Sequence, residues 1–132
     1  LDAIIDLRTP RFLLIIRNAF GGAYASYNNY PTGADFVIAL PSTRAAVMGP
    51  AGIEFVYKNE LRAIRMAVKN KQQSAALAKE QEALLVKRYE EELMNPNEAL
   101  SLGSISQIVM PSDLRKVLCE NMNFHLRHYT PE

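Results

Sequence analysis

The sequence is poor in the residues that most often carry side-chain chemistry. It has no tryptophan, two histidines and a single cysteine among 132 residues. Cys119 cannot form an internal disulfide, and with His125 and His128 it supplies too few ligands for a cysteine-rich zinc site. The pattern disfavours a nucleophile activated by histidine. We expect Cys119 to be a small buried hydrophobic residue in a reducing compartment, and both histidines to be surface or packing residues.

Long apolar runs and an excess of one charge are missing as well. The longest apolar run, residues 12–16, is far shorter than the ~20 residues that a membrane-spanning helix needs. The 15 basic and 14 acidic residues give a formal net charge of +1, unlike the positive surface of a nucleic-acid-binding protein. We therefore expect a protein of the cytoplasm or mitochondrial matrix, without a membrane segment or a nucleic-acid partner. Because the sequence opens inside an apolar pattern without methionine, we also expect it to be part of a longer protein.

The first 52 residues are rich in turns, because five of the six glycines and four of the seven prolines lie there. Three apolar runs between these turns, residues 12–17, 35–40 and 45–48, predict strands, the first two of a kind buried on both faces. Residues 23–30 have the length of a short helix. The predicted order is strand, glycine turn, helix, strand, strand and then a helical region.

Residues 59–94 contain neither glycine nor proline and are rich in strong helix formers. A polar stretch interrupts the apolar spacing, which predicts two helices with Ser74 capping the second. Leu85, Tyr89 and Leu93 recur at four-residue spacing and indicate a buried stripe. The basic residues at 58–71 and acidic residues at 80–92 are typical of a solvated face; a docking surface is the alternative.

The last third of the chain predicts two further helices and one strand. Asn95 followed by Pro96 has the pattern of a helix start, and Gly103 is placed to end that helix. Residues 105–109 alternate as a short strand, and a last helix follows Pro111. We expect the stretch after Asn123 to be loosely held.

Two glycine-bearing turns are the strongest local candidates for chemistry. Gly21-Gly22 separates a predicted strand from a helix, which would place main-chain N–H groups at a helix N-terminus where an anionic oxygen can approach. Residues 48–52 form a second turn of this kind. Neither turn has the spacing of a nucleotide-binding motif. A purely structural turn is the alternative for both, and Asp35 and Glu54 read as capping residues rather than as an acid–base pair.

Three strings of residues in order resemble a known family. They are RNAFGGAY (17–24), GADFVIALP (33–41) and AAVMGPAG (45–52), and the stretch at 88–118 adds RYEEELMNPNEALSLGSISQIVMPSDLRKVL. Together they resemble the C-terminal domain of the carboxyltransferase subunits of biotin-dependent acyl-CoA carboxylases and decarboxylases. That family includes propionyl-CoA carboxylase beta chains, methylmalonyl-CoA decarboxylase and glutaconyl-CoA decarboxylase alpha chains.

The resemblance implies an α/β fold of the crotonase-like (ClpP/crotonase) type, built from repeated β-β-α units. Residues 1–132 would be part of the C-terminal domain on the biotin side, and the acyl-CoA-side N-terminal domain would lie outside this chain. The implied partners are the rest of the subunit, further copies of it in a homo-oligomer whose active site forms between subunits, and a biotin carrier protein.

The resemblance also assigns the site. The main-chain N–H groups of Gly22 and Ala23 would form an oxyanion hole for the ureido oxygen of biotin, and Gly21 would allow the close approach. The neighbouring wall would be formed by Val47, Met48, Gly49, Pro50 and Ala51. The implied function is carboxyl transfer between biotin and an acyl-CoA, with a decarboxylase among the possible members. The alternative is a non-catalytic crotonase-like assembly or binding module.

Overall fold

The secondary structure is mixed α/β. A computed structural model describes residues 2–131 of the chain. The strands are β1 Phe12–Ile15, β2 Asn18–Phe20, β3 Phe36–Ala39, β4 Arg44–Ala46 and β5 Gln107–Ile108. The helices are α1 Asp2–Ile5, α2 Gly21–Ser26, α3 Ile53–Val56, α4 Lys58–Lys69, α5 Ala75–Leu93, α6 Pro96–Ser101 and α7 Leu114–Arg127, with 3₁₀ turns at Tyr30–Thr32 and Pro50–Gly52. None of these helices is long and apolar enough to cross a membrane.

The chain folds into two compact units. The first comprises the residues up to Val47 together with those from Asn95 onward, and the second comprises Met48–Met94. All of the strands given above belong to the first unit, whereas the second consists of α3, α4, α5 and the 3₁₀ turn that precedes them.

Parallel strand pairing organises the first unit. β3 lies between β1 and β5 in a three-stranded sheet, and β2 pairs with β4 in a separate two-stranded sheet. Ile15 lies opposite Ala39 at the end of the first sheet, and Asn18 lies opposite Arg44 at the start of the second. Two chain segments, one from β1 to β2 and the other from β3 to β4, therefore leave the first sheet and enter the second side by side.

The apolar run at residues 12–17 does not form the single strand predicted for it. Its ladder ends at Ile15, whose carbonyl oxygen accepts hydrogen bonds from Leu40 N (3.3 Å) and the hydroxyl of Thr43 (2.8 Å). Thr43 is buried, and its Oγ1 also accepts from Leu40 N at 3.2 Å. The Arg17 carbonyl then accepts from Arg44 N at 2.7 Å and opens the second sheet. Thr43 closes one ladder at the point where the next begins.

The side chains of β1 and β3 differ in how far they are buried. Val37, Ile38 and Ala39 are 0% exposed in β3, the central strand of the first sheet. β1 lies at the edge of the sheet and buries only Ile15 fully. The prediction of a strand buried on both faces is therefore confirmed for β3 and wrong for β1. Three alanines and one isoleucine belong to the same buried cluster as Val37 and Ala39, namely Ala34, Ala45, Ala99 and Ile105.

Side-chain caps begin the later helices where the sequence predicts them. Ser74 Oγ accepts from Leu77 N at 3.2 Å at the start of α5, and Asn95 Oδ1 accepts from Glu98 N at 2.9 Å at the start of α6. Gly103 follows α6 with φ +72°, the left-handed conformation that commonly ends a helix. These capping predictions are confirmed.

The helix expected at residues 23–30 is shifted and shorter. It begins at Gly21 and ends at Ser26. Asn28 then adopts φ +54°, which stops an α-helix, and the Asn29 side chain caps the 3₁₀ turn that follows. Local capping by asparagine therefore replaces the second helical turn.

Two expectations for the C-terminal stretch are wrong. Beyond Asn123 the chain is not loosely held but continues α7 to Arg127, where the His125 ring packs edge-on against Phe12 with centroids 5.4 Å apart. Cys119 is exposed rather than buried, and it lies on α7, a helix without a fully buried residue. The packing role expected of His125 is confirmed.

The second unit is built on a pair of helices. α4 and α5 are connected through residues 70–74, as predicted, and bury Leu61 and Tyr89, whereas Leu93 is 37% exposed and leaves the predicted stripe. The Arg65 guanidinium contacts Glu54 at 2.6 Å and Glu82 at 3.2 Å, and so links α4 to α3 and α5. The hydrogen bonds from Arg65 lower the pKa of Glu54.

Replacing Thr43 by valine should destabilise the first unit, because it keeps the shape of the buried side chain and removes the hydroxyl that donates to the Ile15 carbonyl. We expect the free energy of unfolding, measured by urea denaturation, to fall by about 1–3 kcal/mol. Thr9→Val is the matched control at an exposed threonine and should change it by less than about 0.5 kcal/mol. Equal effects of the two changes would show that the Thr43 hydroxyl does not hold the ladder.

Candidate functional site

The first predicted site lies where β2 runs into α2. Phe20 ends the strand in an extended conformation (φ −125°, ψ 144°), and Gly21 turns the chain at φ +64°. A residue with a Cβ atom is strained at this φ, so glycine is required at position 21. Because Phe20 is the last residue of β2 and Gly21 the first of α2, the strand passes into the helix without a loop.

The first turn of α2 presents main-chain donors. The leading N–H groups of a helix have no carbonyl acceptor within it, and the N-cap residue Phe20 has no side-chain acceptor to offer. Gly22 and Ala23 are exposed. A Cβ placed on Gly22 would meet no atom of residues 2–131 within 4 Å. Their carbonyl groups are bonded within the helix, to the Ser26 hydroxyl and to Tyr27 N at 3.0 Å. The turn therefore suits an anionic oxygen rather than a donor.

Val47 lies beside this turn. β4 runs parallel to β2 with Ala46 opposite Phe20, so both strands end at the same edge of the sheet. The Val47 carbonyl oxygen lies 3.6 Å from the position of a Cβ on Gly21. The Val47 side chain is 85% exposed. The structure thus brings together Gly21 and Val47, two of the predicted site residues.

The other predicted wall residues, Met48, Gly49, Pro50 and Ala51, belong to the second unit. Gly49 is extended (φ −68°, ψ −168°), and Pro50 starts a 3₁₀ turn that leads into α3. The Met48 carbonyl accepts a hydrogen bond from the Tyr89 hydroxyl at 3.1 Å. The predicted glycine-bearing connection from strand to helix is present here. The predicted site residues are divided between the two units.

A cavity of about 440 Å³ opens beside α2 in the first unit. Residues 13–19 line it together with Ala23, Tyr24 and Tyr27. Cavities of this size accommodate small molecules, and apolar walls with a few polar groups are typical of them. Arg17 and Asn18 supply the polar groups. Ala23, a predicted oxyanion donor, therefore lies in the wall of a cavity large enough for a small ligand.

The two tyrosines of this cavity, Tyr24 and Tyr27, do not stand out in the sequence. The Tyr24 hydroxyl donates to the Ser104 carbonyl at 3.4 Å, and Tyr27 is 67% exposed. The available signal is their three-residue spacing soon after the glycine pair, which places Tyr24 in α2 and Tyr27 at its C-cap. Aromatic side chains at that spacing form a wall beside the main-chain donors.

The part of the chain that the structure describes holds no cluster of metal-ligating side chains, at the glycine turn or elsewhere. Among residues 2–131, no three His, Cys, Asp or Glu side chains come together as a metal site would require. The clear pKa shifts of the described groups lie in the second unit, where burial raises the pKa of Tyr57 and a hydrogen bond from Arg88 lowers that of Glu92.

The parallel strand pairs, with β2 and β4 each leading into a helix, place the chain in the α/β class. The sequence matches the family model described as "Carboxyl transferase domain" over residues 1–130. The chain therefore belongs to the carboxyl transferase domain family. Both the fold class and the family expected from the sequence are confirmed.

Relatives of known name cover nearly all of this chain. It is 34% identical over 133 residues to a putative propionyl-CoA carboxylase beta chain of Bacillus subtilis strain 168, covering 100% of this chain and 24% of that protein. It is 30% identical over 124 residues to methylmalonyl-CoA decarboxylase subunit alpha of Propionigenium modestum, covering 93% and 22%. The chain thus spans about a quarter of the length of these relatives.

The fold is also that of a solved carboxyltransferase. The crystal structure of transcarboxylase 12S with methylmalonyl-coenzyme A and methylmalonic acid bound superposes with a TM-score of 0.79 at 22% identity. The superposition covers 99% of this chain and 23% of that chain. At 22% sequence identity, this structural similarity shows that the two chains share a fold and nothing more.

The two adjacent glycines of the turn should respond differently to alanine. Gly21→Ala places a Cβ at φ +64° and should lower the free energy of unfolding by about 1–2 kcal/mol. Gly22→Ala adds a Cβ in open space within α2 and should be neutral or stabilising by up to about 1 kcal/mol. Urea denaturation measures both. A Gly22→Ala variant as unstable as Gly21→Ala would contradict the described turn.

Proposed function

We propose that the chain is part of a biotin-dependent carboxyltransferase that moves a carboxyl group between biotin and an acyl-CoA, in the carboxylating or decarboxylating direction. The observation that carries the proposal is the uncapped first turn of α2, in which Gly22 and Ala23 are exposed and Ala23 lines a cavity. Family membership and relatives named as carboxylase and decarboxylase subunits support it.

The glycine turn fits the ureido group of biotin. Biotin, when bound, supplies a ring nitrogen that carries the carboxyl group and a neighbouring oxygen on which negative charge develops as that group is transferred. Main-chain N–H groups fixed in advance stabilise such charge without reorganisation, a contribution of several kcal/mol in enzymes of this type. Gly22 and Ala23 would donate these hydrogen bonds, and Gly21, which lacks a side chain, would let the oxygen approach.

The wall residues form the second part of the proposal. Val47 and Met48 are 85% and 39% exposed, so their apolar side chains are accessible to a ligand. We assign them to apolar contacts with the rings of biotin, together with Gly49, Pro50 and Ala51. The Pro50 turn stiffens this segment, because proline fixes its own φ and the Gly52 N–H is bonded to the Gly49 carbonyl at 2.8 Å.

The domain assignment follows the same proposal. Residues 1–132 would be the biotin-side part of a C-terminal domain, and another copy of the subunit would bring the acyl-CoA to it within a homo-oligomer. A biotin carrier protein would deliver the cofactor. A cytoplasmic or mitochondrial-matrix location agrees with this assignment. The transcarboxylase 12S whose fold this chain shares is described as a hexamer assembly, which supports the oligomer.

Biotin-dependent release of CO₂ by the complete subunit tests the proposal. We expect CO₂ from one of malonyl-, methylmalonyl- or glutaconyl-CoA, at a rate that rises with the concentration of free biotin. The substrate that responds identifies the acyl group. Folded subunit that releases no CO₂ from any of the three would favour the alternative, a non-catalytic crotonase-like assembly or binding module.

Gly22→Val tests the oxyanion donors directly. The valine side chain would occupy the open space over the turn and hinder the approach of an oxygen, so we expect kcat to fall about 100-fold or more, as on loss of one oxyanion donor. Ala25→Val, which places the same valine side chain at another exposed position of α2, should keep activity within about twofold. Undiminished turnover in folded Gly22→Val would remove the turn from the mechanism.

A further inference from the structure

Tyr89 is a buried tyrosine whose hydroxyl contacts the main chain of the 48–51 segment. It lies on α5 in the second unit and is 4% exposed. Its hydroxyl donates to the Met48 carbonyl oxygen at 3.1 Å. Phenylalanine would fill nearly the same volume, so the hydrogen bond to Met48 is what the hydroxyl of Tyr89 adds.

The ring of Tyr89 also packs directly on the 3₁₀ turn. A Cβ on Gly52 would stand 2.7 Å from the Tyr89 ring carbon Cζ and still closer to its hydroxyl oxygen. No real Cβ fits there unless the ring moves. Gly52 has ordinary helical dihedrals (φ −60°, ψ −18°), so its glycine is explained by the contact with Tyr89 and not by backbone conformation.

Other side chains hold Tyr89 in place. The Tyr57 ring meets the Tyr89 ring edge-on, with centroids 6.5 Å apart and an interplanar angle of 84°. The Tyr57 hydroxyl donates to Glu92 at 3.0 Å, and Arg88 binds the same carboxylate at 2.9 Å. The Arg88 guanidinium lies over the Tyr57 ring at 5.4 Å. The contact with Tyr89 is made by the Tyr57 ring, which a phenylalanine at position 57 would keep, whereas the Tyr57 hydroxyl bonds Glu92 instead.

We propose that Tyr89 is a positioning residue for biotin: its hydroxyl fixes the Met48 carbonyl and its ring supports the turn at Gly52, so that the 48–51 segment is held ready to contact the cofactor. The inference rests on the proposed function of that segment. It assigns a role to the long helix α5, which contributes no residue to the predicted site.

Tyr89→Phe in the complete subunit is the primary test, with Tyr57→Phe as the matched control. Both changes remove one hydroxyl from a buried tyrosine of the second unit, but only that of Tyr89 bonds the 48–51 segment. We expect Tyr89→Phe to raise the KM for free biotin about fivefold, the size of one neutral hydrogen bond, with the KM for acyl-CoA unchanged. Tyr57→Phe should leave both KM values within about twofold.

Amide hydrogen exchange supplies a readout that does not depend on activity. We expect the Gly52 amide, which is bonded to the Gly49 carbonyl, to exchange several-fold faster in Tyr89→Phe and at the wild-type rate in Tyr57→Phe. Gly52→Ala, which displaces the ring and keeps the hydroxyl, should give the same faster exchange and the same rise in the KM for biotin.

The outcomes separate the two proposals. Unchanged exchange in Tyr89→Phe overturns the positioning role, whatever the activity. Faster exchange with an unchanged KM for biotin, or equal rises in the KM values for biotin and acyl-CoA, also overturns it, because the segment would then be held without serving biotin. A wild-type subunit without biotin-dependent turnover refutes the proposed function, and with it the biotin role of Tyr89, while the exchange data still decide whether Tyr89 holds the segment.

Discussion

The first unit depends on one buried hydroxyl, that of Thr43. It donates to the Ile15 carbonyl and accepts from Leu40 N, and so reinforces the hydrogen bond that these two main-chain groups make with each other at the end of the β1–β3 ladder. Buried polar groups need partners, and the Thr43 hydroxyl has both of its partners at the level where the two chain segments change sheets. The aligned change of sheet places the ends of β2 and β4 side by side. The glycine turn and Val47 are neighbours for that reason.

Much of the secondary structure could be predicted from local sequence, because its causes are local. Ser74, Asn95 and Gly103 cap or end helices through contacts within a few residues, and the structure confirms all three. The edge position of β1 could not be predicted in this way. An apolar run has the same letters at the edge and at the centre of a sheet, and the difference depends on which strands pair with it. The exposure of Cys119 could not be predicted for a related reason. Apolar neighbours along a helix do not show whether another element covers that face.

The candidate site divides in the same way between local and distant causes. The glycine pair is visible in the sequence, and φ +64° at Gly21 explains why glycine stands there. Tyr24 and Tyr27 follow within the same short stretch, yet their part in a cavity with residues 13–19 requires the fold. The need for glycine at position 52 is harder to predict from the sequence, because it comes from contact with the Tyr89 ring on α5, far along the chain. Sequence patterns therefore predict where the turns are. Contacts between residues distant in the sequence explain why particular residue types stand next to them.

The proposed donors at Gly22 and Ala23 belong to the peptide backbone, and this has a consequence for how the protein can diverge. A catalytic side chain disappears with a single codon change, whereas an amide hydrogen persists under every substitution except proline. Selection at such a site acts on conformation and free space, so surrounding side chains can drift while the reactive hydrogen bonds remain. That tolerance is consistent with a fold shared at only 22% identity. It also implies that new substrate preferences can evolve around the turn without rebuilding its chemistry.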